Sequence, residues 1–362
     1  LYSTVAPLHG APEQRPPHPA MSSTLSSQCS WRVLLLLFMA IWLIQATARV
    51  LEEGSMKGRH ERWIVKYKRA YKDEAERKRR FEIFKRAAEY VDSSNAVPGR
   101  QYKLGVNEFA DLTVDEFKAR YTGFKPDGGS RLRASGSFMY ENVTDVPTSM
   151  DWRAKGAVTN VKNQGNCGSC WAFSAVAAME GIHQIKNGTL VSLSEQELVD
   201  CIKKDGGCGG GSMDTAFEFI VGNGGLASES DYPYLADDGT CDSGKLDDHA
   251  GSISGYEDVP ENNETALLVT AAHQPVSVAI DAGGRDFMLY SSGVFTGGCG
   301  CALDHGVAVV GYGNSSDGLN YWLVKNSWGT LWGEDGYIRM HRGVAAEQGL
   351  CGIAMSASFP TA

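Results

Sequence analysis

The chain has no apolar run long enough to cross a bilayer: "VLLLLFMAIWLI", Val33 to Ile44, counts twelve residues, where a spanning helix needs ~20. It has no excess of positive charge either. Its 34 Lys+Arg against 43 Asp+Glu leave a formal net charge of −9, which argues against nucleic acid as the main partner. Internal repeats and long low-complexity tracts are absent, and 43% hydrophobic with 21% charged residues is ordinary globular composition, so wholesale disorder is not expected. At 362 residues there is enough chain for one large or two medium domains with a full core.

The first twenty residues are rich in proline and contain no Met. They read as an upstream-derived segment (1–20) and carry no fold argument. From Met21, a basic residue (Arg32), the apolar run and the small-residue site Ala46-x-Ala48 describe a secretory signal peptide, 21–48. Secretory entry changes the reading of the nine cysteines. Cys29 leaves with the signal, and most of the other eight are expected in disulfides. Asn142, Asn187, Asn263 and Asn314 head candidate glycosylation sequons.

Charge is unevenly spread. Residues 49–145 net +5 and residues 146–362 net −15, which suggests two pieces that attract each other. The basic piece reads as helix: Trp63, Tyr67 and Tyr71 fall four apart, and Phe81, Phe84, Ala88 and Val91 continue on one face. The run Arg77 to Arg80 reads as a solvated face, and the Gly/Ser/Pro cluster from Phe124 to Ser137 as an exposed linker. Beyond residue 146, helical patterns come first: "CWAFSAVAAMEGIHQIKNG" with Gly188 as its stop, "SLSEQELVDC" with Ser194 as cap, and "GSMDTAFEFIVGNGG". After about residue 250, strand patterns dominate: "PVSVAI", "GVAVVGYG", "NYWLVKN" and "GYIRM". A helical half followed by a β-rich half predicts an α+β protein of two subdomains with a cleft between them.

Cys167 and Cys170, three apart in "QGNCGSCWAF", admit three readings. A zinc site wants a second pair at matching spacing; Cys299-Gly-Cys301 is too tight and Cys201 to Cys208 too loose. A redox dithiol normally sits near a βαβ pattern, and a helical half follows here instead. The third reading makes Cys170 a nucleophile and Cys167 a structural half-cystine, and it needs a histidine with an orienting partner elsewhere. "LDHGVAVVGYG" supplies His305, 135 residues after Cys170, and "NYWLVKNSWG" supplies Asn326, 156 residues after it.

With these motifs the chain resembles the papain family of cysteine proteases, of the cathepsin L-like plant type, from about residue 57 onward. The family's signature is C-G-[SA]-C-[WY] with His and Asn ~130–150 residues downstream; Asn326 lies slightly beyond that range. The resemblance implies a papain-like α+β fold: a helical and a β-barrel-like subdomain with the active-site cleft between, preceded by a helical inhibitory propeptide. It implies that Cys170 is the nucleophile, His305 its acid–base partner and Asn326 the orienting residue. Trp328 would shield their hydrogen bond, and Gln164 with the Cys170 N–H would form the oxyanion hole. A Cys170 thiolate would pair with a His305 imidazolium, helped by the N-terminal field of the helix that Cys170 opens.

By the same resemblance Cys167 pairs with Cys208, Cys201 with Cys241, and Cys299 with Cys351. Cys301 is left over; it is expected to be buried and inert, the alternatives being a reactive thiol or exchange with Cys299. The S2 subsite falls on Ser212, Met213, Ala279, Leu303 and Ser356. Ser212 replaces a bulkier residue typical there, and with no carboxylate in the set, apolar P2 residues are expected over Arg.

Glu76, Arg80, Phe84, Val91 and Asn95, then Gly105, Asn107, Phe109 and Asp111, match the family's two propeptide patterns, with Ala87 a departure expected to weaken the propeptide core slightly. The propeptide would span 49–145 and the peptidase 146–362, with maturation near Val146 as pH falls to about 4–5, where model carboxylates titrate. Acids such as Asp111 are expected to lose their contacts there. The implied product is a secretory-pathway endopeptidase of vacuole, lysosome or exterior, without cofactor, metal or membrane span. It would be a monomer acting on protein and peptide substrates, inhibited by its own propeptide and by cystatin-type proteins. The readings from other classes are a non-catalytic binding or storage homologue and a thiol oxidoreductase using Cys167 and Cys170.

Overall fold

The computed structural model describes residues 27–126 and 138–362. Its helices and strands, in chain order, are α1 (Ser27–Lys66), α2 (Glu74–Asn95), β1 (Tyr102–Leu104), α3 (Val114–Tyr121), β2 (Met150–Asp151), α4 (Cys170–Asn187), α5 (Glu195–Cys201), α6 (Met213–Asn223), β3 (Gly255–Asp258), α7 (Glu264–His273), β4 (Val276–Ile280), α8 (Arg285–Met288), β5 (Tyr290–Phe295), β6 (His305–Asn314), β7 (Asn320–Lys325), β8 (Tyr337–His341) and β9 (Ala357–Thr361). They fall into two units, divided between Trp63 and Ile64. Everything that follows concerns the second. Among the described residues, no helix is long and apolar enough to cross a membrane.

Local chemistry sets the helix ends. The Ser194 side chain accepts from the Glu197 N–H at the start of α5, and Gly188 and Gly224 close α4 and α6 in the left-handed region at φ 75° and 86°. The long basic helix expected through Tyr71 is interrupted. α1 ends at Lys66, Lys68 takes φ 52°, and Asp73 caps a new helix by accepting from the Glu76 N–H. Tyr67 and Tyr71 therefore lie outside any helix, because the Asp73 cap offers the backbone a competing start. Helix α7 sits within the stretch read as strands.

Residues of α4, α5 and α6 form one buried cluster around Trp171, Met179, Leu198, Phe217 and Ile220. The sheet runs β1-β5-β8-β7-β6-β4-β9-β3, with β2 beside β6. Its pairs are antiparallel except β5 with β8. The three-residue strand β1, from the basic segment, thus extends a sheet built by the acidic one.

The basic segment has its own folded centre. Phe84, Ala88 and Phe109 are fully buried, and Ala87 is also enclosed. The run Arg77 to Arg80 is not uniformly a solvated face. Arg80 is buried and donates to Glu76, to Glu116 and to the Asp111 carbonyl, while the half-exposed Arg79 reaches the same two carboxylates. Four such bonds, to three partners, satisfy a guanidinium that composition alone assigns to water.

Candidate active site

Cys170 opens α4, the longest helix of its half, and its Sγ accepts from the Gly306 N–H at 3.3 Å. Gly306 follows His305, which opens β6, so the strand that carries the imidazole is tied directly to the thiol. His305 Nε2 lies 2.8 Å from Asn326 Oδ1, just past β7, and that oxygen also accepts from the Ser327 N–H. An oxygen that accepts from Ser327 cannot donate, so Nε2 carries the proton in this bond. Nδ1 is left as the basic nitrogen, buried and without a hydrogen-bond partner among the described residues. Trp328 stacks on the imidazole, ring centroids 4.5 Å apart and planes 26° from parallel.

Gln164 is fully buried and held on every side. Its Nε2 donates to the carbonyls of Cys167 (2.8 Å) and Tyr121 (3.3 Å), and its Oε1 accepts from Ser327 Oγ at 2.6 Å. Its backbone donates to the Ser327 carbonyl and accepts from the Tyr234 hydroxyl. Ser327 and Tyr234 were not singled out from sequence, because nothing local marks a serine or tyrosine as the prop of a distant amide.

Cys167 is bonded to Cys208, Cys201 to Cys241 and Cys299 to Cys351. Cys167 is therefore unavailable as a dithiol partner for Cys170, which is free and buried. Cys301 is also free, but exposed, contrary to the expectation of a buried thiol. The N–H groups of Gly300 and Ala302 on either side of it bind Asp281 Oδ2, a turn that leaves the intervening side chain facing solvent.

The cleft is occupied by the chain itself. At the end of α3, Tyr121 offers its carbonyl to Gln164 Nε2 and to Trp328 Nε1, the latter at 3.1 Å. The N–H groups of Gly123 and Phe124 donate to the Asp304 carbonyl, and Phe124 forms a parallel bridge with Gly211. A Cβ on Gly123 would sit 1.9 Å from the Gly168 carbonyl oxygen, so only glycine allows this approach. Phe124, read from sequence as the start of an exposed linker, is buried in the cluster that holds Trp171, Met213 and Ala279, with Leu303 packed against it. Residues 127–137 of that linker lie outside the described residues. Ser212 caps α6, and the Ser356 carbonyl accepts from the Ala279 N–H. Of the residues assigned to S2, Met213, Ala279 and Leu303 share one buried cluster with Phe124. Lys118 of α3 adds an ion pair, 3.4 Å, to Asp304.

Burial sets the ionisation of the site. Burial pushes the Cys170 thiol up to about 12, against the pull of backbone N–H groups. Burial also pushes His305 down to about 4, against the Asn326 hydrogen bond. Both groups therefore favour their neutral forms beneath the cover. Among the described residues no cluster of His, Cys, Asp and Glu is arranged to hold a metal ion. The four sequon asparagines are all exposed.

Comparison with known proteins agrees with this architecture. Residues 146–361 match the papain family of cysteine proteases, and residues 60–117 match the cathepsin propeptide inhibitor domain (I29). The senescence-specific cysteine protease SAG12 of Arabidopsis thaliana is 56% identical over 314 residues, covering 84% of this chain and 90% of its own. Vignain of Ricinus communis is 56% identical over 315 residues, covering 85% and 86%. Among solved structures, a recombinant stem bromelain precursor superposes with a TM-score of 0.79 at 47% identity, covering 85% of this chain and 99% of its own. The proform of the ragweed pollen protease Amb a 11 superposes with 0.80 at 45%, covering 85% and 94%. The chain belongs to the papain family of cysteine proteases. Within it, the chain is a papain-like proenzyme: a thiol protease carrying its own inhibitory propeptide.

Proposed function

We propose that the mature domain, 146–362, is an endopeptidase in which Cys170 is the nucleophile, His305 the general acid and base, Asn326 the residue that orients the imidazole, and Trp328 its shield. The observation that carries this reading is the tautomer: with Nε2–H donated to Asn326 Oδ1, the basic Nδ1 is free to take the thiol proton. A thiol with a neutral imidazole holds the same number of protons as a thiolate with an imidazolium. Uncovering the site therefore lets the proton pass from Sγ to Nδ1 with no net uptake, once water and the α4 N-terminus can stabilise the charges.

The thiolate then forms a C–S bond to the scissile carbonyl carbon. The resulting oxyanion accepts from Gln164 Nε2 and the Cys170 N–H. His305 gives its proton to the departing amine, and the acyl-enzyme remains. Water, deprotonated by His305, attacks the thioester carbon and returns the thiol. In the proenzyme the Tyr121 carbonyl already accepts from the Gln164 donor, and Phe124 is buried in one cluster with Met213, Ala279 and Leu303. A phenylalanine in that place supports apolar P2 residues as preferred, and it makes latency a matter of occupied subsites.

Maturation near Val146, glycosylation at the exposed sequons, a secretory route to vacuole, lysosome or exterior, susceptibility to cystatin-type inhibitors and a monomeric state complete the proposal. A panel of peptide substrates, run with and without a thiol-directed epoxide, tests it. Hydrolysis that the epoxide does not stop would end this assignment.

A further inference from the structure

A serine at the head of a helix usually turns its side chain back to accept from the first-turn N–H groups. Ser169 stands in that place before α4, fully buried, and its side chain makes no capping bond. Its hydroxyl lies 2.6 Å from Tyr234 Oη instead. Tyr234 Oη in turn donates to the Gln164 carbonyl at 2.9 Å. A carbonyl can only accept, so the phenol's one proton goes to Gln164 and Ser169 is the donor to the phenol. The chain therefore has a fixed direction, from Ser169 Oγ through Tyr234 Oη to the Gln164 carbonyl.

Tyr234 is itself held from several sides. Its ring meets Phe173 of α4 edge-on, centroids 4.8 Å apart. Its N–H donates to Glu229 Oε1 at 3.0 Å, and the next N–H, of Leu235, donates to Gln196 Oε1 of α5 at 2.8 Å. Ser194 Oγ, at the head of α5, donates to the Tyr232 carbonyl. Ala236 takes φ 58° and lies against the turn after Gln164, where a Cβ on Gly165 would be 3.1 Å from its own. Burial pushes the phenol above its ordinary value, so it keeps its proton in acid and at neutrality alike.

Both ends of this chain belong to the proposed oxyanion hole. Gln164 carries one donor on its side chain, and Ser169 immediately precedes Cys170, whose N–H is the other. On the β-rich side, Ser327 holds Gln164 twice: its carbonyl accepts from the Gln164 N–H, and its Oγ donates to Oε1. Tyr234 provides the hold on the helical side.

We infer that Tyr234 is a positioning residue for the oxyanion hole: its hydroxyl ties the Gln164 backbone to the head of α4 and so sets the spacing of the two donors. This rests on the cysteine-endopeptidase reading above. Two donors stabilise a tetrahedral oxyanion only when both point at the place its oxygen will occupy. These two sit on separate stretches of chain, and a donor pair is as accurate as the groups that support it. The described bonds of Tyr234 reach neither the thiol nor the imidazole. Its loss should therefore affect the steps that build negative charge on oxygen and leave the nucleophile alone.

The test compares two reactions of Cys170 in Tyr234→Phe, matured from the full-length chain, with active sites counted by a thiol-directed epoxide. Peptide hydrolysis passes through an oxyanion; alkylation by iodoacetamide displaces iodide at carbon and forms none. Tyr234→Phe should lower kcat roughly tenfold, the scale of one or two neutral hydrogen bonds, with KM changed less than about twofold. A peptide aldehyde, whose adduct with the thiol places an oxygen in the same hole, should bind roughly tenfold more weakly. The alkylation rate and its pH profile should match wild type. A tyrosine that merely supports the fold would slow alkylation and hydrolysis together.

Ser169→Ala removes the donor to the phenol and should show the same split more weakly; it carries the comparison should Tyr234→Phe fail to fold. Added to Gln164→Ala, Tyr234→Phe should cost much less than it does alone, because the amide it positions is already gone. Hydrolysis and aldehyde affinity at wild-type levels in Tyr234→Phe, or hydrolysis and alkylation falling together, would overturn the inference. Full kcat in Gln164→Ala would sink the oxyanion assignment itself, and the inference with it. A loss in Gln164→Ala beside an unaffected Tyr234→Phe would sink the inference alone.

Discussion

The indole N–H of Trp328 donates to the carbonyl of Tyr121 at 3.1 Å while the same ring stacks on His305. One side chain thus faces both the imidazole and the segment that blocks it. Phe109 and Phe117 of the propeptide meet Trp328 edge-on, at 5.6 and 5.0 Å between centroids. Trp328→Phe keeps an aromatic ring over His305 and removes the donor. It should loosen the propeptide by about 0.5–1.5 kcal/mol, the net value of one hydrogen bond. The rise in Cys170 labelling of the proenzyme at neutral pH measures this.

Cys170→Ser should reduce peptidase activity on the order of 10⁶-fold, as removal of a nucleophile does elsewhere. The three disulfides should form as before, because no bonded cysteine is touched. Activity of the purified variant and a peptide map of the unreduced protein check both parts. Near wild-type turnover would exclude Cys170 as nucleophile.

Gln164→Ala should lower kcat about 10²–10³-fold with a much smaller change in KM, since an oxyanion donor acts mainly in the transition state. Ser327→Ala should do the same more weakly, by freeing the Gln164 amide from the bond at Oε1. A loss confined to KM would place Gln164 in ground-state binding instead.

The S2 subsite proposed around Met213, Ala279 and Leu303, which share a buried cluster with Phe124, should rank P2 residues by apolar fit. Differences of about 10–200-fold in kcat/KM are the scale one methylene sets. A peptide library that puts Arg above Leu and Phe at P2 would mean that the pocket belongs to the propeptide alone.

The propeptide's ion pairs give a pH window. Hydrogen bonds from Arg79 and Arg80 hold Glu76 down to about 2. Glu116 falls to the same value although burial opposes it, through the Thr113 N–H and both guanidiniums. A carboxylate lowered in the folded state stabilises it above the ordinary value and ceases to as pH falls through the folded one. This contribution is therefore complete above the ordinary 4.5 and is lost between there and about 2. Asp111 runs the other way: burial raises it against Arg69 and Tyr71, so acidification favours its folded form. Acidification thus neutralises Asp111 and its charged contact with Arg69 without costing the fold stability. Thermal melts of the Cys170→Ser proenzyme should show propeptide structure persisting at pH 4–5, with Glu116→Gln flattening the decline below about 4. Release near pH 4–5 would then be the departure of a folded propeptide.

What the sequence by itself determined is the chemistry and the local structure. Residue types at fixed spacing singled out Cys170, His305 and Asn326, the resemblance to the papain family added Gln164, and the fold links them through Gly306, Ser327 and the Asn326 amide. Caps such as Ser194 and stops such as Gly188 were legible because a cap involves groups within four residues. The tertiary structure decided what depends on distant partners. It placed Phe124 in the cleft rather than in solvent, turned Cys301 outward, tied Tyr234 to Gln164, and buried Cys170 and His305 until both favour neutral forms. Each of these is a sum over groups tens to hundreds of residues apart, and no local pattern encodes burial or desolvation of that kind.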